Sequence, residues 1–427
     1  MGVSADLEKR AAELDKTDAL ATFRDRFHLP QHNGRPAVYM CGNSLGLLPK
    51  STMDAVQAEL TEWQLRAVEG HFAAARPWFS YHKTVVDQLC HIVGALPHEV
   101  VAMNSLTVNL HLLMTSFYRP HGTRTKVLLA GREFPSDRYA IETHIRSRGL
   151  DPLETMLELQ PLPGAYTISP EQILDAIHEL GDSLALILFS GVHFYTGERF
   201  DIENITKAGH AVGAVVGFDL AHAVGNVPLN LHEWGPDFAV WCSYKYLNSG
   251  PGGVGGAFVH ERHADSPALP RLAGWWGNDE ATRFAMEHGF RPTVGADGWQ
   301  LSNAPVLSLA AHRAALDIHV EATMERISTK RDALTGLLWE AVSLAIGDRS
   351  WIRIITPKQP ERRGAQLSVH FDQHGKRIFD AFIANGVMVD WRSPSVIRIA
   401  PAPLYCRFMD VVHCADVFSH ILSELDS

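Results

Sequence analysis

The sequence predicts an α/β protein: a large domain built on a mostly parallel sheet, followed by a smaller C-terminal α/β domain. Three observations carry this. The runs KVLLA (126–130), LALILF (184–189), AVVGFD (214–219) and FAVWC (238–242) have the length and apolar content of buried strands. Between several of them lie helical patterns, SDRYAIETHIRS, PEQILDAIHELG and ENITKAGHAVG. Strands alternating with helices imply a parallel sheet covered on both faces. After residue 305 the character changes: long helical patterns over about 306–346 precede WIRIIT, QLSVHF, VMVDW and VIRIA. A helix is expected near 376–385, and a last one over MDVVHCADVFSHILSEL.

The elements ahead of the sheet are read in the same way. PKSTMDAVQAELTEWQLRAV opens on a Pro-x-Ser-Thr cap, and Met53, Val56, Leu60 and Trp63 then recur at helical spacing. The expected division is an N-terminal segment, 1–48, packing with the small domain, a large domain, 49–305, and a small domain, 306–427. Of the 427 residues, 46% are hydrophobic and 20% charged, enough apolar material for a large core. A formal charge of −10 argues against nucleic acid as the main partner.

The charged start, MGVSADLEKRAAELDK, lacks the apolar core of a signal peptide, and no apolar run is long enough to span a bilayer. A cytoplasmic location without membrane contact is therefore expected. Five cysteines, at 41, 90, 242, 406 and 414, form no C-x-x-C pair and read as reduced structural thiols. The HEW at His232 runs into Gly235 and Pro236, so it is no two-histidine helix face, and no metal is expected.

In such a sheet, ligands bind beyond the carboxyl ends of the strands. Those ends carry Ser190, Asp219 and the run Ser243, Tyr244, Lys245, while KVLLAGREFPSD leads to Phe134, Pro135, Ser136 and Asp137. MNSLTVNLHLL places Leu106 and Thr107 at a helix start. Each is ordinary alone. Together they match what pyridoxal phosphate requires: a lysine for its aldehyde, a carboxylate for its pyridine nitrogen, an aromatic ring to stack, and a helix N-terminus with hydroxyls for its phosphate.

Two motifs suggest other chemistry. Gly250, Gly252 and Gly255 spell G-x-G-x-x-G, but a β-rich run follows where a dinucleotide loop needs a helix. These glycines are expected to let backbone pack closely beside the lysine and the phosphate. GNSLG (42–46) matches a nucleophile elbow around Ser44, but LLPKST separates it from the next helix. A Ser44 serine hydrolase is thus the alternative of a different class.

The blocks CGNSLGLLPK, MNSLTVNLHLLMTSF, FPSDRYAIE, LFSGVHFYTGERFDI, GFDLAHAVGNVPLNLHEWGPDF, WCSYKYLNSGPGG and IRIAPAPLY resemble the kynureninase family. The likeness runs from about residue 36 to 425. It implies an aspartate-aminotransferase-like, fold-type-I pyridoxal-phosphate enzyme. The implied reaction is hydrolysis of L-kynurenine or 3-hydroxy-L-kynurenine to anthranilate or 3-hydroxyanthranilate plus L-alanine, in tryptophan catabolism or pyridine nucleotide biosynthesis. It also implies a homodimer with shared active sites. A cysteine desulfurase of the same fold is the nearer alternative, with Cys406 as its candidate nucleophile.

By that resemblance Lys245 is the Schiff-base lysine and Asp219 pairs the pyridine nitrogen, with His222 beside it. Phe134 stacks on the ring and Asp137 closes the FPSD motif. Leu106, Thr107, Ser190, Ser243 and Tyr244 bind the cofactor, mostly at its phosphate. Tyr244 is also the candidate proton donor. Trp275 and Asn303 match cofactor and substrate positions supplied by a neighbouring subunit, and Arg398 matches the residue holding the substrate carboxylate. An arginine between Ile397 and Ile399 on a strand also suits a planar anion from chemistry alone, a buried structural ion pair being the competing reading. His71 and Asn303, with Ser44 on another loop, match the aryl pocket. There they are expected to favour 3-hydroxykynurenine through its ring hydroxyl.

Overall fold

The computed structural model describes residues 5–266, 268–285 and 287–426. Seven strands form the main sheet: β1 Val100–Ala102, β2 Lys126–Ala130, β3 Met156–Leu159, β4 Leu184–Ser190, β5 Val215–Asp219, β6 Phe238–Cys242 and β7 Gly255–Val259. Their order is β1-β7-β6-β5-β4-β2-β3. The neighbours from β6 to β3 are parallel, while β7 runs antiparallel to both β1 and β6. The four runs read from the sequence are β6, β5, β4 and β2, the contiguous parallel centre. Strands there are buried on both faces and so are uniformly apolar.

The alternation of side chains builds two cores. Leu128, Ile187, Phe189, Val216, Phe218 and Trp241 face one layer, with Leu89, Ile173, Ile205 and Leu309. Val127, Leu129, Leu186, Leu188 and Val240 face the other, with Leu113, Phe117, Ile141 and Ile145. A third core belongs to the small domain. Its sheet is antiparallel, in the order β8-β9-β11-β10, with β8 Ile352–Ile354, β9 Leu367–Phe371, β10 Asp390–Arg392 and β11 Val396–Ile399. The N-terminal helix, Ala5–Thr17, packs on the last helix, Phe408–Asp426, and Leu7, Phe23, Phe27 and Val38 join this third core.

Three sequence readings change. The run VMVDW is not one strand: Val387–Met388 pairs in parallel with Val38–Tyr39, and Asp390–Arg392 joins the small sheet. Residue 306 does not open the small domain's packing. The helix Val306–Ala322 puts Leu309, Ala310 and Leu316 into the large core and only Ile318 and Ala322 into the small one, so a continuous helix bridges the two. Of the stripe on Ser51–Arg66, Val56 packs against the large core, but Met53, Leu60 and Trp63 are exposed in the single chain. Met53 and Trp63 are 66% and 60% exposed, whereas Glu59 is buried and accepts hydrogen bonds from Tyr81 Oη at 2.8 Å and Trp78 Nε1 at 3.0 Å.

Candidate active site

Parallel strands deliver their carboxyl ends to one edge, and there the site assembles. Ser190 ends β4 and Asp219 ends β5, directly opposite one another in register. Gly191 N–H donates to the Asp219 carbonyl at 2.7 Å and Ala221 N–H to its carboxylate at 2.7 Å, which fixes the strand end and the side chain. β6 then turns into Ser243, Tyr244 and Lys245.

A cavity of about 170 Å³ lies over these ends. Lys245, Tyr244, Asp219, His222 and Ser190 line it from the sheet; Leu106, Thr107, Phe134 and Ser136 from two helix starts; Ser44 and Arg398 from the N-terminal segment and small domain. Thr107 Oγ1 and Ser136 Oγ lie 2.8 Å apart, which joins the two helix N-termini. Neither helix has a side-chain cap; the second opens on Pro135, which has no N–H, and its Asp137 N–H donates to the Phe134 carbonyl at 3.0 Å, so Leu106, Thr107 and Ser136 supply the N–H groups for an anion. Pro135, Asp137 and Ser243 stand just behind the lining; Asp137 and Ser243 are 1% and 0% exposed. A larger hollow of about 370 Å³ between helix Pro170–Leu180, Trp234 and Arg362 has no lysine in its lining and lacks this convergence of groups.

Burial, then the neighbouring Asp219 charge, pushes Asp137 well above the usual carboxyl range, so it keeps its proton and donates to Asp219. Asp219 is also raised by burial, but that hydrogen bond and the Lys245 ammonium pull it back toward ionisation. Burial and then Lys245 lower His222, which stays neutral. Burial raises Tyr244, so its phenol holds its proton. Arg398 Nε donates to Asp390 at 3.0 Å and Nη1 to the Phe194 carbonyl at 2.8 Å. Nη2 ion-pairs with Asp390 Oδ1 at 2.9 Å but without hydrogen-bond geometry, which leaves its N–H groups for a carboxylate. The structural ion pair and the anion-binding reading of Arg398 therefore coexist.

The residues present fit pyridoxal phosphate. Ser190 Oγ, Ser243 Oγ, His222 Nδ1 and Asp137 Oδ1 are buried here without partners among the described residues. The Phe134 ring, 40% exposed and held edge-on by Phe194 at 5.2 Å, offers a stacking face. Two glycine positions make the close packing possible. A Cβ on Gly46 would lie 2.3 Å from the Lys245 carbonyl, and Gly46 N–H donates to the Tyr244 carbonyl at 2.8 Å. A Cβ on Gly255 would lie 3.1 Å from Leu106 N at the helix start. Gly250 and Gly252 act differently from expectation: nothing lies within 4 Å of a Cβ there, and their φ of +91° and +66° shapes the turn.

His71, Trp275 and Asn303 are not brought to this cavity. His71 and Trp275 instead share an exposed aromatic patch with Phe72 and Phe284, and Asn303 is exposed. Cys406 is likewise elsewhere: it is 2% exposed, its thiol donates to the Tyr39 carbonyl, and burial pushes it up to about 12. A thiol so held is no loop nucleophile, which removes the feature a desulfurase needs. Ser44 lines the cavity, but it sits in a turn with no hydrogen bond to a histidine among the described residues, and the helix starts only at Ser51. Asn43, Glu133, Val192, Phe194 and Arg392 also line the cavity and escaped the sequence reading. Glu133 abuts the FPSD motif, and Arg392 lies two residues after the acid that anchors Arg398. Adjacency was their only sequence signal.

Residues 327–418 match the model of the kynureninase C-terminal domain. The kynureninase of Stenotrophomonas maltophilia is 52% identical over 406 residues, covering 94% of this chain and 95% of that one. That of Flavobacterium psychrophilum is 47% identical, covering 97% and 98%. The chain belongs to the kynureninase family. Among solved structures, the cystine C–S lyase C-DES in complex with cysteine persulfide superposes with a TM-score of 0.75 at 17% identity, over 90% of this chain and 97% of that one. The Escherichia coli cysteine desulfurase CsdA gives 0.76 at 17% identity, over 95% and 98%. At that identity they share the fold, which is the α/β fold expected of the family.

Proposed function

We propose that this chain hydrolyses L-kynurenine and 3-hydroxy-L-kynurenine to anthranilate or 3-hydroxyanthranilate plus L-alanine, with pyridoxal 5′-phosphate held at Lys245. The observation that carries the reading is the meeting of Lys245, Asp219, Phe134 and two uncapped helix starts on one cavity. Close family identity across almost the whole chain supports it. When bound, the cofactor supplies an electron sink for charge that develops at the substrate carbons.

The chain's own groups do the rest. Lys245 would hold the cofactor through its aldehyde, and its free amine would take the substrate's Cα proton. Asp219 holds the ring nitrogen's proton, with Asp137 donating to its other side. Phe134 stacks, while Leu106, Thr107 and Ser136 present N–H and hydroxyl donors to the phosphate. The Nη edge of Arg398 orients the substrate carboxylate. Tyr244, kept protonated by burial, is the acid that delivers a proton to Cβ.

The active unit in this reading is a homodimer. Support comes from the exposed aromatic patch and from the helix Ser51–Arg66, whose Met53, Leu60 and Trp63 are exposed in the single chain. In this reading His71, Trp275 and Asn303 belong to the other copy's cavity, as the family resemblance implies. Product analysis with the two substrates side by side tests the reaction, and borohydride reduction followed by peptide mapping tests the lysine. A label on a lysine other than Lys245 would overturn the site. If His71 and Asn303 meet the ring hydroxyl, 3-hydroxykynurenine has the higher kcat/KM by several-fold, since one such bond contributes about 1 kcal/mol. A preference for unhydroxylated kynurenine refutes that assignment.

A further inference from the structure

Glu133 lies at the floor of the cavity and has no role in the scheme above. It directly precedes Phe134, and only 5% of it is exposed. Its two carboxylate oxygens reach in different directions. Oε1 accepts the Phe134 N–H at 3.2 Å, and Oε2 accepts the Ser190 N–H at 3.3 Å across from β2 to β4. Ser190 is in turn the register partner of Asp219. One side chain thus joins the residue that would stack on the ring to the strand end beside the residue that would face the ring nitrogen.

No cation ion-pairs with Glu133 among the described residues. A buried carboxylate held by two backbone N–H groups, with the Ser190 hydroxyl beside it and no cation, is costly to keep ionised, and such groups concentrate at functional sites. The charged neighbours explain the balance. Asp219, from the end of β5, acts on Glu133 directly and opposes its ionisation. Asp137, on Glu133's own segment, feels the Glu133 charge and stays protonated. Lys245, after β6, spends its charge on Asp219 and Asp137. The other groups around the floor are His193 and His222, both lowered by burial, then Cys242 and Tyr244, both raised by it. None of these four adds a charge at neutral pH. The remaining cations, Arg392 and Arg398, are engaged with Asp390, and Arg132 lies over the Tyr195 ring.

We infer that Glu133 is a positioning residue of the active site: it ties Phe134 to Ser190 and sets a second negative charge beside Asp219, strengthening the site's hold on the ring-nitrogen proton. The inference rests on the pyridoxal-phosphate reading of the cavity. Burial and the Asp219 charge push Glu133 up to about 7, so this second charge is present above that pH and absent below it.

The experiment compares wild-type holoenzyme with Glu133→Gln and Glu133→Ala, and it reads the absorbance of the bound cofactor and the cofactor Kd between pH 6 and 9. Removing an anion destabilises a neighbouring protonated cation. In Glu133→Gln the midpoint of the spectral titration should therefore fall by several tenths of a pH unit. Its amide keeps one backbone tie and loses the other, since NH2 cannot accept an N–H, so kcat/KM should lie somewhat below wild type near pH 6 and fall several-fold further behind above pH 7.5. Glu133→Ala, which also loses both backbone ties, should weaken cofactor binding about tenfold at every pH. An unshifted midpoint in a folded Glu133→Gln holoenzyme overturns the charge role, and a wild-type Kd in Glu133→Ala overturns the tie. Should Glu133→Ala not fold, the spectral shift in Glu133→Gln alone decides. Absence of a lysine-bound cofactor band in the wild type would overturn the underlying reading as well, so the two failures are distinguishable.

Discussion

Asp219 shows how much one side chain's surroundings decide. Its carboxylate is buried, receives the Ala221 N–H, and shares a proton-bearing neighbour, Asp137. Asp219→Ala removes the carboxylate proposed to meet the protonated ring nitrogen. It should lower kcat/KM by roughly a hundredfold or more, the scale of about 3 kcal/mol for a preorganised charge, and should weaken cofactor retention. Steady-state kinetics and a cofactor titration check this; full activity would refute the electron-sink argument. Arg398 makes a sharper distinction. Asp390 and the Phe194 carbonyl fix its guanidinium, so Arg398→Lys keeps the charge but loses the planar edge. The expected result is a KM raised at least tenfold, with cofactor binding unchanged. Lys245 and the FPSD run were legible as residues because the chemistry of the cofactor demands those types. Glu133 and Arg392 were not, since an acid in a loop and an arginine at a strand end have too many ordinary uses.

Among the elements, the parallel centre of the sheet was legible because each strand is an unbroken apolar run. β1 and β3 were not, because they are short edge strands, and Glu158 interrupts β3. The loop carrying Ser44 presents the reverse case: its motif was visible, but its role was not. Gly46 packs on the backbone of Lys245, so the loop serves the lysine. Gly46→Ala would set a methyl 2.3 Å from the Lys245 carbonyl. It should therefore reduce cofactor occupancy, read as lost absorbance per subunit, while far-UV circular dichroism stays near wild type. The helix Ser51–Arg66 carries its own prediction. Trp63→Asp, at a site 60% exposed in the single chain, should shift sedimentation toward monomer and lower activity with it. A dimer of wild-type stability would show that this face is not the contact.

The whole molecule is held by a seam rather than a hinge. The carbonyls of Phe194, Tyr195 and Thr196 take hydrogen bonds from Arg398, Ser368 and Thr356 of the small domain, and Arg362 pairs with the buried Glu198. Burial pushes Glu198 up to about 7, above its value in an unfolded chain. Its stabilising contribution is therefore complete below the ordinary carboxyl range and is lost as pH rises through about 7. The Tm of wild type minus that of Glu198→Gln should fall from pH 5 to pH 8; a rise would reverse the sign. The sequence by itself determined the fold class, the parallel centre and the residue types around Lys245, because strand periodicity is local and cofactor chemistry restricts which side chains can serve. Only the tertiary structure decided that Val306–Ala322 bridges the two cores and that Cys406 is buried away from the site. It also decided that His71 and Trp275 stand on an outer aromatic patch and that Glu133 joins β2 to β4. These depend on contacts between residues far apart in the chain, which no local pattern encodes.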